Sequence, residues 1–383
     1  MKKKVCILTS MLLCEGNSYL SSRLYKYFIM NDYEIVSEAP GTEAVIVNTC
    51  IFDEKREKDA FDLINNIVNN AEKNQKIIII GCLANMEKRL PSSDKYIKIG
   101  LAEGNKFDEI FKPAIPYSDI LIETVNPKYA NTAYALLDHF YLKLGYGCAN
   151  KCSYCIIRVA KGMVKSEPIK KVLSDFETGL KMGHKKFILL IDDIGSYGID
   201  IGTNFAELLN EMLAYKEYNF QLSMYYIFPG HFLRLFDKIN KEIFLYMRLI
   251  NIPLQSTSQR ILKMMNRNYD VKKVLELVEK IKTFNPSIKF RTHIMYGFPT
   301  ETREEFEKSF EILPEYFDES YFFCYSDKEG TESINYDGKI SNDEKISRTQ
   351  YVCDYFKKNK KILLGYYWAD TSYEALAKVI GIK

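Results

Sequence analysis

Three cysteines stand in the stretch Gly145-Tyr-Gly-Cys-Ala-Asn-Lys-Cys-Ser-Tyr-Cys155, spaced C-x3-C-x2-C at Cys148, Cys152 and Cys155. A loop this short can offer three thiolates to three corners of a cubane iron–sulfur cluster, for which soft thiolates are the usual ligands. A [4Fe–4S] cluster with three protein ligands keeps one iron open, as a catalytic metal site keeps an open position. An open iron can chelate the amino and carboxylate groups of S-adenosylmethionine and pass one electron to its sulfonium, chemistry that the cofactor supplies rather than a side chain. The alternatives are a zinc site and a group of buried cysteines. Zinc ribbons use C-x2-C pairs in two halves, and no second C-x2-C occurs in the chain.

A second set is spread out. Cys50 closes Val45-Ile-Val-Asn-Thr-Cys, Cys82 closes Ile77-Ile-Ile-Ile-Gly-Cys, and Cys14 follows the apolar run Val5–Leu8 after a short loop. In open α/β sheets ligands gather at the carboxyl ends of strands. Three cysteines at three strand ends can converge there as a second cluster site; the plain alternative is three unrelated core cysteines. Cys6, Cys324 and Cys353 read as core or surface thiols.

The elements that must position these residues follow from hydrophobic pattern. Residues 1–125 read as an open parallel-sheet α/β domain, with short apolar strands and amphipathic helices over 17–30 and 53–73. Residues 126–135 read as a linker. Over 136–340, six strands alternate with helices, the arithmetic of a partial (βα)6 barrel of TIM type, with the cysteine loop after its first strand on the face where barrel active sites lie. Residues 341–383 read as a helical tail.

The chain has 383 residues, 47% hydrophobic and 27% charged, with a net charge of +3, the profile of a globular protein that nucleic acid can bind but that charge alone does not mark as a nucleic-acid binder. Met1-Lys-Lys-Lys4 and the apolar residues after it read as a first strand with a basic lead-in rather than a signal peptide, since no small-residue cleavage site follows. No apolar run has membrane-spanning length. Nine cysteines, six of them placed as cluster ligands, imply a reducing compartment and hence a cytoplasmic protein.

The loop, with Tyr154 before its last cysteine, matches the C-x3-C-x-(aromatic)-C signature of the radical S-adenosylmethionine superfamily. The chain further resembles the radical S-adenosylmethionine methylthiotransferases. The resemblance is carried by Cys14-Glu-Gly-Asn17, Val47-Asn-Thr-Cys50, Gly81-Cys-Leu-Ala84, Ile252-Pro-Leu-Gln-Ser256, Met265-Asn-Arg267, Gly297-Phe-Pro299 with Glu301, and Tyr325-Ser326 with Gly330-Thr331. Asp193 to Asn204, and Ala160-Lys-Gly162 with Ser166 and Pro168, look most like the archaeal and eukaryotic subgroup acting on threonylcarbamoyladenosine in tRNA.

The resemblance implies two [4Fe–4S] clusters: one on Cys148, Cys152 and Cys155 that cleaves S-adenosylmethionine, and one on Cys14, Cys50 and Cys82 that handles the sulfur to be methylated and inserted into a C–H bond. It implies that Tyr154, Asp193 and Gln255 contact the cofactor; as plainer roles, Asp193 can be a helix cap and Gln255 a strand-end hydrogen bond. An electron donor such as flavodoxin or ferredoxin is expected, and a monomer. Asn251 stands where the family usually has histidine, His293 where it has aspartate, Lys161 for arginine and Glu329 for proline, while Thr257 and Thr300 replace small residues. The family usually ends in a small RNA-binding β-barrel, the TRAM domain, and this chain stops about where that would begin. The expected substrate is therefore either a modified tRNA adenosine or a peptide or protein side chain. Two other readings stay open: a radical enzyme whose N-terminal cluster only relays electrons or supports the fold, and a non-catalytic cluster or zinc protein that binds nucleic acid.

Overall fold

The computed structural model describes residues 2–10, 15–52, 54–130, 137–358 and 366–367. The chain divides into two compact units, residues 1–142 with 159–162 and 181–184, and residues 143–158, 163–180 and 185–383.

The first unit holds β1 (Lys4–Thr9), α1 (Glu15–Met30), β2 (Glu34–Val36), β3 (Ala44–Thr49), α2 (Glu54–Asn69), β4 (Lys76–Gly81), β5 (Ile97–Lys98) and α3 (Lys106–Phe111). The sheet runs β2-β1-β3-β4-β5 with every neighbouring pair parallel. Strand β3 is buried along its whole length, which is why it reads as an unbroken apolar run rather than an alternation. Helix α1 buries Leu24, Tyr27 and Phe28, and the Phe28 ring meets Phe111 of α3 edge-on at 4.9 Å. The expected linker at 126–135 begins as packed chain: Asn126 N donates to Ser22 Oγ at 2.8 Å, and Tyr129 is buried. An aromatic that can be buried against α1 makes residues 126–130 part of the first unit, while 131–136 lie outside the described residues.

The chain passes to the second unit within β6 (Phe140–Lys143). There follow β7 (Gly145–Tyr146), α4 (Ile157–Lys161), β8 (Lys165–Ser166), α5 (Ile169–Lys181), β9 (Lys186–Leu190), α6 (Phe205–Met212), β10 (Gln221–Met224), α7 (Pro229–Leu235), β11 (Met247–Asn251), α8 (Gln259–Met264), α9 (Val271–Phe284), β12 (Lys289–Tyr296), α10 (Arg303–Tyr316), β13 (Glu319–Cys324), α11 (Asn342–Lys358) and β14 (Tyr366–Tyr367). The sheet order is β14-β13-β12-β11-β10-β9-β6, and the strands from β9 to β14 pair in parallel. This is the partial barrel, six strands alternating with helices, with the two-residue β14 added beside β13.

Strand register separates the two faces of this sheet. Phe322 stacks on Phe310 of α10 at 4.7 Å and Tyr296 packs on Phe306 of α10 at 5.7 Å, so these positions face the helices. The alternate positions face inward: Arg291, His293 and Met295 of β12 pair in register with Glu319, Tyr321 and Phe323 of β13, and Asn251 pairs with Arg291.

Candidate active site

The cysteine loop is fastened from several sides. Gly147 N donates to Asp192 Oδ2 at 2.8 Å and Ala149 N to Ser196 Oγ at 3.1 Å, both groups lying just past β9. Ser153 N and Oγ donate to Met265 O and Met264 O at 3.0 and 2.9 Å, and Asn266 Nδ2 donates to Lys151 O at 2.7 Å. Ser333 N donates to Ser153 O at 2.9 Å. The motifs around residues 265–267 and 330–333 therefore hold the loop in shape.

The sulfurs have N–H donors of their own. Asn150 approaches Cys148 Sγ with its backbone N at 3.4 Å and its Nδ2 at 3.3 Å. Arg267 places Nη1 3.4 Å from Cys152 Sγ. The Ile157 backbone N–H serves Cys155. Burial pushes the Cys148 thiol well up, with the Asp193 carboxylate adding to it, and pushes Cys155 up to about 11, with Cys152 adding to it. Left to themselves these thiols stay protonated near neutral pH; bound metal removes such protons outright. Among the described residues no three His, Cys, Asp or Glu side chains gather around one point as a single ion requires. A cubane instead takes each thiolate on a different iron. The donor set, soft, spread over one loop and supplied with N–H groups, fits a [4Fe–4S] cluster.

Tyr154 lies against Phe298, ring centroids 6.4 Å apart, and its hydroxyl accepts from Arg267 Nη1 at 3.4 Å. Arg267 is 4% exposed, spans the faces of Phe228 and Tyr269 at 4.6 and 5.4 Å, and donates through Nη2 to Pro253 O. Gln255 sits just past β11 in the left-handed region, φ 71°, its backbone bridging to His293 and Met295 of β12. Its Oε1 is buried and has no hydrogen-bond partner.

Asp193 takes the capping position that the sequence offered as its plainer role. It is 3% exposed and caps the short turn 194–196. Its Oδ1 accepts from Gly195 N at 3.1 Å and Phe228 N at 2.9 Å, and its Oδ2 lies 2.5 Å from Ser196 Oγ, 2.7 Å from Asn150 Nδ2 and 2.9 Å from His231 Nδ1. These five contacts engage both carboxylate oxygens of Asp193. Its pKa is lowered: burial works against the charge, and His231, Ser196 and Phe228 N–H outweigh it.

The inward wall of the barrel carries Asn251 and His293, both singled out in the sequence, beside residues that were not. Asn251 Nδ2 donates to His293 Nε2 at 3.1 Å, leaving the buried Asn251 Oδ1 without a partner; Ser223 Oγ is likewise buried and unpartnered. Burial, then Arg291 and Arg267, hold His293 down to about 3, so its ring is neutral. Tyr226 (φ 62°), Tyr321 and Phe323 surround it at 5.5, 5.0 and 5.2 Å between ring centroids. Arg291 is already paired with Glu319, its Nε donating at 2.6 Å. Both Asn251 and His293 stood out in the sequence, but not that they touch.

In the first unit, Thr49 of β3 is paired with Gly81 of β4, so Cys50 and Cys82 leave the sheet side by side, both buried. Asn48 and Thr49 brace these ends: Asn48 Nδ2 donates to Asn17 O and Ser21 Oγ at 3.0 and 2.9 Å, and Thr49 Oγ1 donates to Ile80 O at 2.6 Å while accepting from Leu83 N at 3.1 Å. Cys14 lies outside the described residues.

Residues 142–313 match the family model "Radical SAM superfamily", and residues 6–99 match "Uncharacterized protein family UPF0004". The chain is 31% identical over 363 residues to the ribosomal protein uS12 methylthiotransferase RimO of Pseudothermotoga lettingae, covering 91% of this chain and 79% of that protein. It is 30% identical over 372 residues to the tRNA-2-methylthio-N(6)-dimethylallyladenosine synthase of Fusobacterium nucleatum, covering 91% and 84%. Among solved structures, the radical S-adenosylmethionine methyltransferase TsrM of Kitasatospora setae, with cobalamin and a [4Fe-4S] cluster bound, superposes with a TM-score of 0.56 at 14% identity over 87% of this chain and 74% of that one, which speaks to the fold alone. No described helix is long and apolar enough to cross a membrane. The chain belongs to the radical S-adenosylmethionine methylthiotransferases, enzymes that use S-adenosylmethionine and [4Fe–4S] clusters.

Proposed function

We propose that this enzyme holds one [4Fe–4S] cluster on Cys148, Cys152 and Cys155 and a second on Cys14, Cys50 and Cys82, and inserts a methylthio group into an unactivated C–H bond of a macromolecule. When bound, the first cluster supplies the electron that cleaves S-adenosylmethionine and the second the sulfur to be delivered. Gln255 accepts a hydrogen bond from the cofactor through its unpartnered Oε1, and Tyr154 flanks it. Asp193 positions the loop without touching the cofactor. The observation that carries the reading is the loop itself, three cysteine sulfurs each facing an N–H donor. Electrons come from a flavodoxin or ferredoxin, and the protein works as a monomer in the cytoplasm.

A modified adenosine of tRNA is the substrate we favour. The inward wall supports this: it offers unpartnered acceptors, aromatic rings and a neutral imidazole, while its cation Arg291 is taken by Glu319, so it suits an uncharged, flat group better than a carboxylate. The loop from Asp193 to Asn204 points to threonylcarbamoyladenosine, the Fusobacterium relative's name to dimethylallyladenosine. A protein side chain is the second reading, supported by the relative named for ribosomal protein uS12.

Anaerobically prepared protein should contain about eight irons per chain with matching sulfide. Incubation with S-adenosylmethionine, reductant and a cell extract, followed by mass analysis of the RNA and protein fractions, should show the methylthio mass gain in RNA. About four irons, or zinc, would remove the two-cluster reading, and a mass gain confined to protein would replace the tRNA substrate.

A further inference from the structure

The groups around the loop do more than fix its shape. Asn150 lies between two of the cysteines, and its side-chain N–H2 is shared between Cys148 Sγ at 3.3 Å and Asp193 Oδ2 at 2.7 Å. Asp193 cannot turn away, because two backbone N–H groups, Ser196 and His231 hold its other lone pairs. His231 is itself wedged against Gly195, where an added Cβ would lie 2.9 Å from its Nδ1. The amide is thus steered onto the sulfur by a buried carboxylate that is fully engaged. On the other side of the loop Arg267, 4% exposed, brings a full positive charge to Cys152 Sγ at 3.4 Å, clamped between aromatic faces.

We propose that Asn150 and Arg267 set the reduction potential of the cluster on Cys148, Cys152 and Cys155, and that Asp193 is the positioning residue that aims Asn150. The inference rests on the assignment of that cluster. Reduction adds one negative charge to the cluster and its thiolates. A hydrogen bond or a cation at a sulfur favours the more negative state, and such hydrogen bonds are among the determinants of iron–sulfur potentials. Burial strengthens both effects, because little water screens them. The chain thereby eases one-electron reduction of a cluster in an enclosed site, and Asp193, itself anionic, acts in the helpful direction only through the amide it holds.

The test is an anaerobic redox titration of the full-length, cluster-loaded protein, following by EPR the cluster whose signal changes on adding S-adenosylmethionine, with iron and sulfide measured alongside. Asn150→Ala should keep its iron and move the midpoint to more negative potential. At a fixed poise its reduced-to-oxidised ratio should fall about tenfold, which for one electron is about 59 mV. Asp193→Asn keeps the caps on Gly195 and Phe228 but loses an acceptor for the Asn150 amide, and should shift the midpoint the same way by less. Arg267→Lys, which keeps the charge and loses the planar fork, should also shift it, and serves if Asn150→Ala loads poorly. A midpoint equal to wild type in fully loaded Asn150→Ala or Arg267→Lys overturns the proposal. Persistence of the cofactor-responsive signal in Cys148→Ala would instead overturn the cluster assignment beneath it.

Discussion

Asn251 and His293 touch across the adjacent strands β11 and β12, amide to imidazole at 3.1 Å. The ring faces Tyr226, Tyr321 and Phe323, and Arg291 and Arg267 bear on it electrostatically. With a folded-state value of about 3 against about 6.5 in the unfolded chain, His293 takes up its proton only on unfolding. The unfolded state binds more protons in that window, so this residue lowers stability as pH falls from about 6.5 toward about 3, by at most about 1.4 kcal/mol per pH unit. Urea titrations of the metal-free protein between pH 7 and about 5 should show a shallower loss of stability in His293→Gln than in wild type. Equal slopes would mean that the imidazole is not held neutral.

Gln255 and Asp193 should separate by what their loss affects. Gln255 Oε1 has no internal partner, so Gln255→Ala should leave the unfolding midpoint nearly unchanged. It should weaken S-adenosylmethionine binding by about 0.5–1.5 kcal/mol, roughly threefold to tenfold in Kd. Asp193→Ala strands two backbone N–H groups, Ser196, Asn150 and His231, and should cost about 3 kcal/mol or more of stability. Calorimetric titration and denaturant melts on both variants make the comparison. A stable Asp193→Ala protein with impaired cofactor binding would return Asp193 to the cofactor.

Much of this was legible before the structure. The apolar runs that become β3, β4 and β9 need burial on both faces, and the chain shows it directly. The two-residue strands β5, β7, β8 and β14 have no periodicity to find, since they exist only where a neighbour supplies the ladder. Strand β10 ends at Met224, and two residues on Tyr226 takes a left-handed conformation with its ring against His293, a local turn that no periodicity announces. Asp193 was legible as a cap, but its five partners, contributed from residues 150 to 231, were not, since they come together only in the fold. The same holds for Arg267. The motif containing it was visible, but its contact with Cys152 joins residues 115 apart.

Glu301 of the Gly297-Phe-Pro299 motif region is structural. Its Oε2 accepts from Gly297 N and from Arg348 Nη1, each at 2.6 Å, and both side chains of the ion pair are 3% exposed. Removing one partner leaves an uncompensated buried charge, so Arg348→Ala should destabilise the protein by about 3–5 kcal/mol. Burial pushes Glu301 up to about 7 even with Arg348 present, and losing the arginine removes what opposes that rise. The Arg348→Ala variant should therefore recover stability as pH is lowered from about 8 to about 5, because the stranded carboxyl is then protonated. A denaturant midpoint for Arg348→Ala that is independent of pH across that range would contradict the account.

The last prediction concerns the ends of β3 and β4, where Cys50 and Cys82 emerge. Gly81 has φ 84°, and a Cβ there would meet Thr49 O and lie 2.5 Å from Asn48 Oδ1. Only glycine lets β4 end this close to β3, and Cys82 N then donates to Thr49 O at 3.1 Å, setting the cysteine beside Cys50. Gly81→Ala must push the strand ends apart, at a cost of about 1–3 kcal/mol for the left-handed conformation before the clash is counted. Were Cys50 and Cys82 ligands of a second cluster, the displacement would be felt there and not in the loop of the other unit. Iron content should fall from about eight toward about four per chain, the methylthio mass gain should vanish, and release of 5′-deoxyadenosine should continue. Cys82→Ala should give the same three results without the backbone strain, which separates loss of a ligand from loss of fold. A Cys82→Ala protein that keeps its full iron and still transfers the methylthio group would leave the second cluster without its proposed seat.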